Sequence, residues 1–359
     1  MLRRQKLILA ALGLLLSPAL ALAAPNQTPE QTSVEATALN NRAVASADAR
    51  RYQEAIESLK RAIALQPNLT MAHYNLGCIY QYEGHFDLSI DPLKQAVRLN
   101  PNFSDAHHHL GLSYNKTEHY IEALECFKRA LQIKPDRADS LSELGVTYFM
   151  LGRHQEAAES CKEAIRLKPD LTDAYSNLGL TYFQLGQRSE AIEFLEHALR
   201  LEPGYAEVRN NLGYVYADAG RFNEAIAAYQ QAIRLRPDYP EALNNLGVAY
   251  YSLGDYGASV EAFQRAIHLR PRVAALYLNL GSVYSRSGRQ KQAIESCRQA
   301  IKLQPDFAEA YNNLAILYLQ RGERALALEQ YGLLKLINYQ MAEKLFALIY
   351  KDKIVDAGK

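Results

Sequence analysis

Asparagine returns every 34 residues through most of this chain, at Asn41, Asn75, Asn177, Asn211, Asn245, Asn279 and Asn313, with His109 and Glu143 breaking the run. A primary amide offers one carbonyl acceptor and two N–H donors, so it can pair with both polar groups of a peptide unit. If successive copies step about 10 Å, as packed helices do, an extended chain rising up to about 3.6 Å per residue meets an amide at about every third residue. Such a ladder holds a backbone without reading its side chains. Tyr74, Tyr82, Tyr214 and Tyr251, with Phe149 and Phe183, recur at neighbouring places of the same interval, and aromatics are favoured interface anchors. Two readings stand for both sets: capture of a ligand, or bonding and packing against a neighbouring helix.

The other chemistry-bearing cluster is His107-His108-His109, with His73 and His119 nearby. Consecutive helical residues point about 100° apart, so three in a row cannot ligate one metal. His73 and His107 hold a slot that is Tyr or Leu in most other repeats and read as packing residues, while His108 and His109 are expected to face the binding groove. There is no phosphate-binding glycine loop, G-x-S-x-G, H-E-x-x-H or C-x-x-C in the sequence. The expectation is a protein with no catalytic residues, no metal site and no cofactor.

The elements that position these side chains are set by prolines. Pro67, Pro101, Pro135, Pro169, Pro203, Pro237, Pro271 and Pro305 stand 34 residues apart and divide residues 36–341 into nine repeats, the first at 36–69 and the last at 308–341. Within a repeat, place 7 is Leu (Leu76 through Leu314), place 8 Gly (Gly77 through Gly281), place 11 Tyr (Tyr80 through Tyr318) and place 15 Gly (Gly84, Gly152, Gly186). Leu and Tyr four apart share one helical face. Glycine between them costs about 1 kcal/mol in helix propensity, which suggests close approach of a second helix. The glycine at place 15 suits the left-handed position that ends a helix. The second half of each repeat, as in "EAIAAYQQAIRLRP", carries a 3.6-residue stripe, and proline closes it.

A period of 34 with this pattern resembles the tetratricopeptide repeat (TPR), and "AYSNLGLTYFQLGQRSEAIEFLEHALRLEP" (174–203) looks like its consensus, with the usual Trp replaced. The resemblance implies an all-α, right-handed superhelical solenoid of nine helix-turn-helix units. It also implies that places 2, 5, 6, 9, 12 and 13 face a concave groove, which puts the asparagines at place 6 on that surface. The array is similar to the repeat region of O-linked N-acetylglucosamine transferases, which carries such a ladder, without their catalytic domain. The two-carboxylate clamp of chaperone-tail binders is disfavoured, because place 5 has no Lys and place 2 is largely acidic (Asp105, Asp139, Asp173, Glu207, Glu241, Glu309). A neutral or mildly basic extended segment fits better.

The ends differ from the repeats. Residues 1–23 join a basic start, the apolar "LILAALGLLL", Pro18 and Ala21-Leu22-Ala23, which reads as a cleaved signal peptide; an uncleaved membrane anchor is the alternative. Residues 24–35 read as a disordered leader, and 342–359 as a C-terminal capping helix. Cleavage removes Arg3, Arg4 and Lys6, leaving 37 basic residues against 39 acidic. That near-neutral balance gives no electrostatic footprint for nucleic acid. Cys161 and Cys297 fall at place 24, where other repeats carry Phe127, Leu195, Tyr229 or Phe263, and read as buried; pairing of Cys126 with Cys161 is the other possibility. The expected function is a non-enzymatic interaction scaffold of the bacterial cell envelope, periplasmic or secreted, holding a protein or extended peptide. The alternative is an adaptor or accessory subunit of an envelope secretion, polysaccharide-export or transferase complex. Oligomeric state is not legible.

Overall fold

The structure, a computed structural model, describes residues 28–350. The expected signal peptide, residues 1–23, lies outside them, as do 351–359. All regular secondary structure among the described residues is helical. The first helices of the nine repeats are α1 (Pro29–Asp48), α3 (Thr70–Tyr82), α5 (Ser104–Lys116), α7 (Ala138–Met150), α9 (Thr172–Gln184), α11 (Ala206–Asp218), α13 (Pro240–Leu253), α15 (Ala274–Arg286) and α17 (Ala308–Gln320). The second helices are α2 (Tyr52–Leu65), α4 (Phe86–Leu99), α6 (Tyr120–Ile133), α8 (His154–Leu167), α10 (Arg188–Leu201), α12 (Phe222–Leu235), α14 (Tyr256–Leu269), α16 (Gln290–Leu303) and α18 (Arg324–Ile337), followed by α19 (Tyr339–Ile349). The chain divides into two compact halves, one ending at Lys168 and the other beginning at Pro169.

Each place in the repeat has a mechanical job. The place-15 glycines have φ between 73° and 82°, and where glycine is missing Arg50 (φ 57°) and Glu118 (φ 62°) adopt the same left-handed turn. The next N–H then reaches back to the carbonyl at place 11, as from Arg221 to Tyr216 and from Arg289 to Tyr284, both 2.8 Å, which satisfies a helix-end carbonyl. The place-8 glycines admit the side chain at place 24. A Cβ on Gly77 would lie 2.5 Å from Leu93, and one on Gly247 2.9 Å from the ring of Phe263. The residue before each proline is extended, with Lys168 at φ −135° and ψ 90°, as a following proline demands.

Adjacent repeats are stitched together through the place-11 tyrosine. Its hydroxyl bonds the place-25 side chain of the preceding repeat: Tyr216 donates to Glu196 (2.8 Å), while Gln230 donates to Tyr250 (2.8 Å) and Arg298 to Tyr318 (2.8 Å). Place 4 adds a second tie to the preceding repeat. The rings of His73 and His107 and the hydroxyls of Tyr277 and Tyr311 each bond the proline carbonyl six residues back. Cys161 and Cys297 are buried at place 24, and all four cysteines are free thiols, including Cys126. Burial pushes the Cys161 and Cys297 thiols up to about 12.

Both ends depart from expectation. The stretch 24–35, read as a disordered leader, is helical from Pro29 onward. Thr28 and Gln31 form a reciprocal capping box, and Ser33 bonds Gln66 at 3.1 Å, which anchors the extension to the end of its own repeat. The terminal helix starts at Tyr339 rather than 342. Repeat 9 lacks the proline turn, and Asn338 serves both as the end of α18 and as the side-chain cap of α19, accepting from the Met341 N–H. Ala342, Leu345 and Ile349 of α19 are buried with Leu334 and Leu314 in one core, so this helix covers the last repeat. No helix of the described residues is long and apolar enough to cross a membrane.

Candidate peptide-binding face

In the second half, α13 packs beside α11 and α15, and α15 beside α17, which brings their place-5 and place-6 side chains together. Asn279 donates to the Asn244 carbonyl (2.9 Å), Asn244 to Asn245 (3.3 Å), and Asn245 to Asn210 (3.1 Å). Four amides from three repeats thus form one relay. In the first half Asn75 donates to Asn40 (2.9 Å), and Asn40 to Asn41. The place-6 asparagines are therefore in part inter-repeat bonds, made to place 5 of the preceding copy, 35 residues back. Asn211 and Asn313 are half-buried and make no side-chain hydrogen bond among the described residues. Each link in the relay uses one donor of an amide that has two, so the relay members keep a further N–H as well. Asn177 is half-buried on α9, and where His109 replaces Asn its ring bonds Gln81 at 2.7 Å.

The aromatics separate into two groups. Tyr74 is half-buried, packed against Phe103 with ring centres 4.8 Å apart, and burial holds its hydroxyl well above the usual range. Tyr82 is 77% exposed and stacks on Tyr52, and Tyr214 is 50% exposed with its ring edge-on to Phe183. Phe149 lies edge-on to His154. Tyr251, tilted against Tyr256, opens on a recess of about 170 Å³ that it shares with Ser282, Ser285, Arg286, Asn313 and Ile316. That recess crosses α13, α15 and α17 and joins an aromatic ring to an open amide.

Half of the acidic row at place 2 is neutralised from within its own repeats, and Asp139 is neutralised by Arg137 of the preceding one. Glu207 pairs with Arg236 (2.7 Å), Glu241 with Arg270 (2.8 Å), and Asp105 with Arg137 and Lys134. In two of these repeats the cation is an arginine at place 31, a spacing visible in the sequence. Asp173 instead accepts from the Tyr205 hydroxyl at 2.7 Å. The repulsion expected against an acidic ligand is weaker than the row of acids suggests, although the clamp lysines remain missing.

His108 does not open onto the groove. It is 6% exposed, with Nδ1 2.8 Å from the Ser140 hydroxyl and its ring edge-on to Phe127. Burial pulls its pKa down to about 4 despite the neighbouring Asp139. Ser140 stands at place 3, where most repeats carry alanine, and its hydroxyl supplies the partner. His109 stays half-buried against Tyr74, and no group of three or more His, Cys, Asp or Glu side chains among the described residues could hold a metal ion.

Residues 104–280 match the family model of the cilia and flagella-associated protein 70 C-terminal domain, 50–84 and 283–322 match a TPR repeat model, and 72–103 match a tetratricopeptide repeat model. Among solved structures, 535 chains match; a fold so widely shared assigns no partner. One, from the APC/C hetero-tetramer Cut9–Hcn1, aligns over 89% of this chain and 84% of its own with a TM-score of 0.51 at 16% identity, which supports the fold alone. Another, described as the functional characterisation of Pseudomonas aeruginosa pilF, covers 56% of this chain and 92% of its own at 22% identity and a TM-score of 0.49. No curated protein matches the chain in sequence.

Proposed function

This chain belongs to the tetratricopeptide repeat family, and from that premise we propose that it is a non-enzymatic scaffold holding an extended segment of a partner protein along its first-helix face. The observation that carries this reading is the recess across α13, α15 and α17, where Tyr251 and the open amide of Asn313 line one space. An aromatic wall beside a free donor–acceptor pair suits a peptide backbone with one apolar side chain seated. Neutralised place-2 acids favour a segment without strong net charge. Peptides selected for binding to the wild-type protein, then titrated against Tyr251→Ala with Asn313→Ala, test it. Loss of binding with helicity intact supports the reading; unchanged affinity removes it.

We place the protein in the bacterial envelope on the strength of residues 1–23, whose basic start, apolar run and A-x-A site suit export. N-terminal sequencing of protein recovered from a periplasmic fraction decides between a cleaved leader and an anchor. The adaptor reading is favoured by one observation: Leu336 and Tyr339, at the turn between α18 and α19, are 84% and 61% exposed. Leu336→Ser should abolish complex assembly under that reading and leave groove binding unchanged.

A further inference from the structure

A recurrent ion pair is broken in one repeat, and the break leaves two cations at a recess. Place 16 is Arg and place 19 is Glu in repeats 1, 4 and 6, where Arg51 pairs with Glu54 (3.2 Å), Arg153 with Glu156 (2.6 Å) and Arg221 with Glu224 (2.8 Å). Repeat 8 keeps the arginine as Arg289 but carries Gln292 in place of the glutamate, and adds Lys291 between them. Neither Arg289 nor Lys291 has a carboxylate partner among the described residues. The first turn of α16 contains no acid either, and its N-cap makes no side-chain bond.

These two cations open on a recess of about 630 Å³ that Arg321 also lines, where the turns of repeats 8 and 9 meet. A second space of about 410 Å³ adjoins it, sharing Lys291 and Arg321 and adding Arg298, Ile294 and Leu326. Arg321 is held by Glu323 at 2.8 Å, and Arg298 donates to Tyr318. Glu295 is the other acid in the furrow. The furrow is therefore cationic where Arg289 and Lys291 stand and partly apolar farther along.

We propose that this edge of repeats 8 and 9 is a second docking site, separate from the first-helix face, and that it takes an acidic, leucine- or isoleucine-bearing peptide segment of a partner protein. One ligand carboxylate stands where the glutamate of place 19 is missing and receives Arg289, whose planar fork suits a carboxylate. A second meets Lys291, and an intervening apolar side chain rests on Ile294 and Leu326. A simple anion would use the cations but leave the apolar end empty.

The probe is a fluorescein-labelled peptide alternating Glu and Leu, titrated into the full chain at low salt. Arg289→Gln combined with Lys291→Gln should weaken binding about tenfold, and added salt should weaken it progressively. Gln292→Glu, which rebuilds the ion pair present in repeats 1, 4 and 6 and removes no packing, should also weaken it. Asn313→Ala should leave it unchanged, so failure here and failure of the groove reading are distinguishable. The proposal is overturned if the wild type does not bind the peptide, or if either edge variant binds it as the wild type does. It is also overturned if inorganic phosphate or a single-stranded oligonucleotide at equal charge concentration displaces it as well as unlabelled peptide does.

Discussion

Gly213 lies so close to Tyr229 that a Cβ built on the glycine would stand 2.7 Å from the edge of the ring. The two residues come from the first and second helices of one repeat, and Tyr229 is among the largest fully buried side chains. Gly281 faces a looser site, with nothing nearer than 3.3 Å. Overpacking a core typically costs about 1–3 kcal/mol, while alanine gains about 1 kcal/mol over glycine within a helix. Gly213→Ala should therefore lose about 1 kcal/mol and Gly281→Ala should be close to neutral. Thermal unfolding followed by circular dichroism checks the pair; equal melting temperatures would remove the packing argument.

Glu118 occupies the left-handed turn that seven other repeats assign to glycine. That conformation costs a non-glycine residue about 1–2 kcal/mol, and glycine's extra freedom in the unfolded chain takes back about 0.5–1 kcal/mol. Glu118→Gly should stabilise by about 0.5–1 kcal/mol, with Arg50→Gly in the same direction. A lower urea midpoint for Glu118→Gly would contradict it.

The asparagines should divide by role. Asn245→Ala breaks two links of the relay and strands the amides of Asn210 and Asn244, which should cost about 1–2 kcal/mol. Asn313→Ala removes an amide with no bond among the described residues and should leave stability within about 0.5 kcal/mol. Its effect should appear only in peptide affinity. Urea melts beside binding isotherms for the two variants check this.

Buried His108 makes stability pH-dependent. Its folded pKa of about 4 lies below the unfolded value near 6.5, so the unfolded chain binds the proton first as pH falls. Stability is therefore complete above pH 6.5 and is lost as pH drops towards 4, by up to about 3 kcal/mol. His109 and His107 are also lowered by burial and act in the same direction. The Asp139 carboxyl, held below its usual range by Arg137 and His108, adds a loss at still lower pH. A His108→Gln variant should show a shallower fall in melting temperature between pH 7 and pH 4.

The fold was largely legible because each invariant place answers a local demand. Gly84 and its counterparts need a positive φ, Gly77 needs room for Leu93, and Pro67 needs an extended residue before it. What escaped depends on pairs of places in adjacent repeats. The relay joins Asn279 to Asn244 and Asn245 to Asn210 at a separation of 35, one more than the period, so reading place 6 alone hides it. The acidic row at place 2 misled because its partners lie far along the same repeat, where Arg236 and Arg270 at place 31 fold back onto Glu207 and Glu241. The resemblance puts place 5, and so His108, on the groove, but the Ser140 hydroxyl of the next repeat gives its ring a buried partner instead. At the start of the chain, composition suggested disorder while Thr28 and Gln31 already spelled a helix cap.

The relay also has a polarity. Every link runs from Asn279 through Asn244 and Asn245 to Asn210, so its two poles differ chemically: among the described residues, a carbonyl without a donor at Asn279 and an amino group without an acceptor at Asn210. Hydrogen-bond chains of one sense reinforce each other. A peptide bond laid across one pole presents its N–H, and across the other its carbonyl. Under the proposed groove reading, the row of identical side chains is thus an asymmetric template, one that distinguishes the two directions in which a ligand's backbone can lie while remaining indifferent to what that backbone carries.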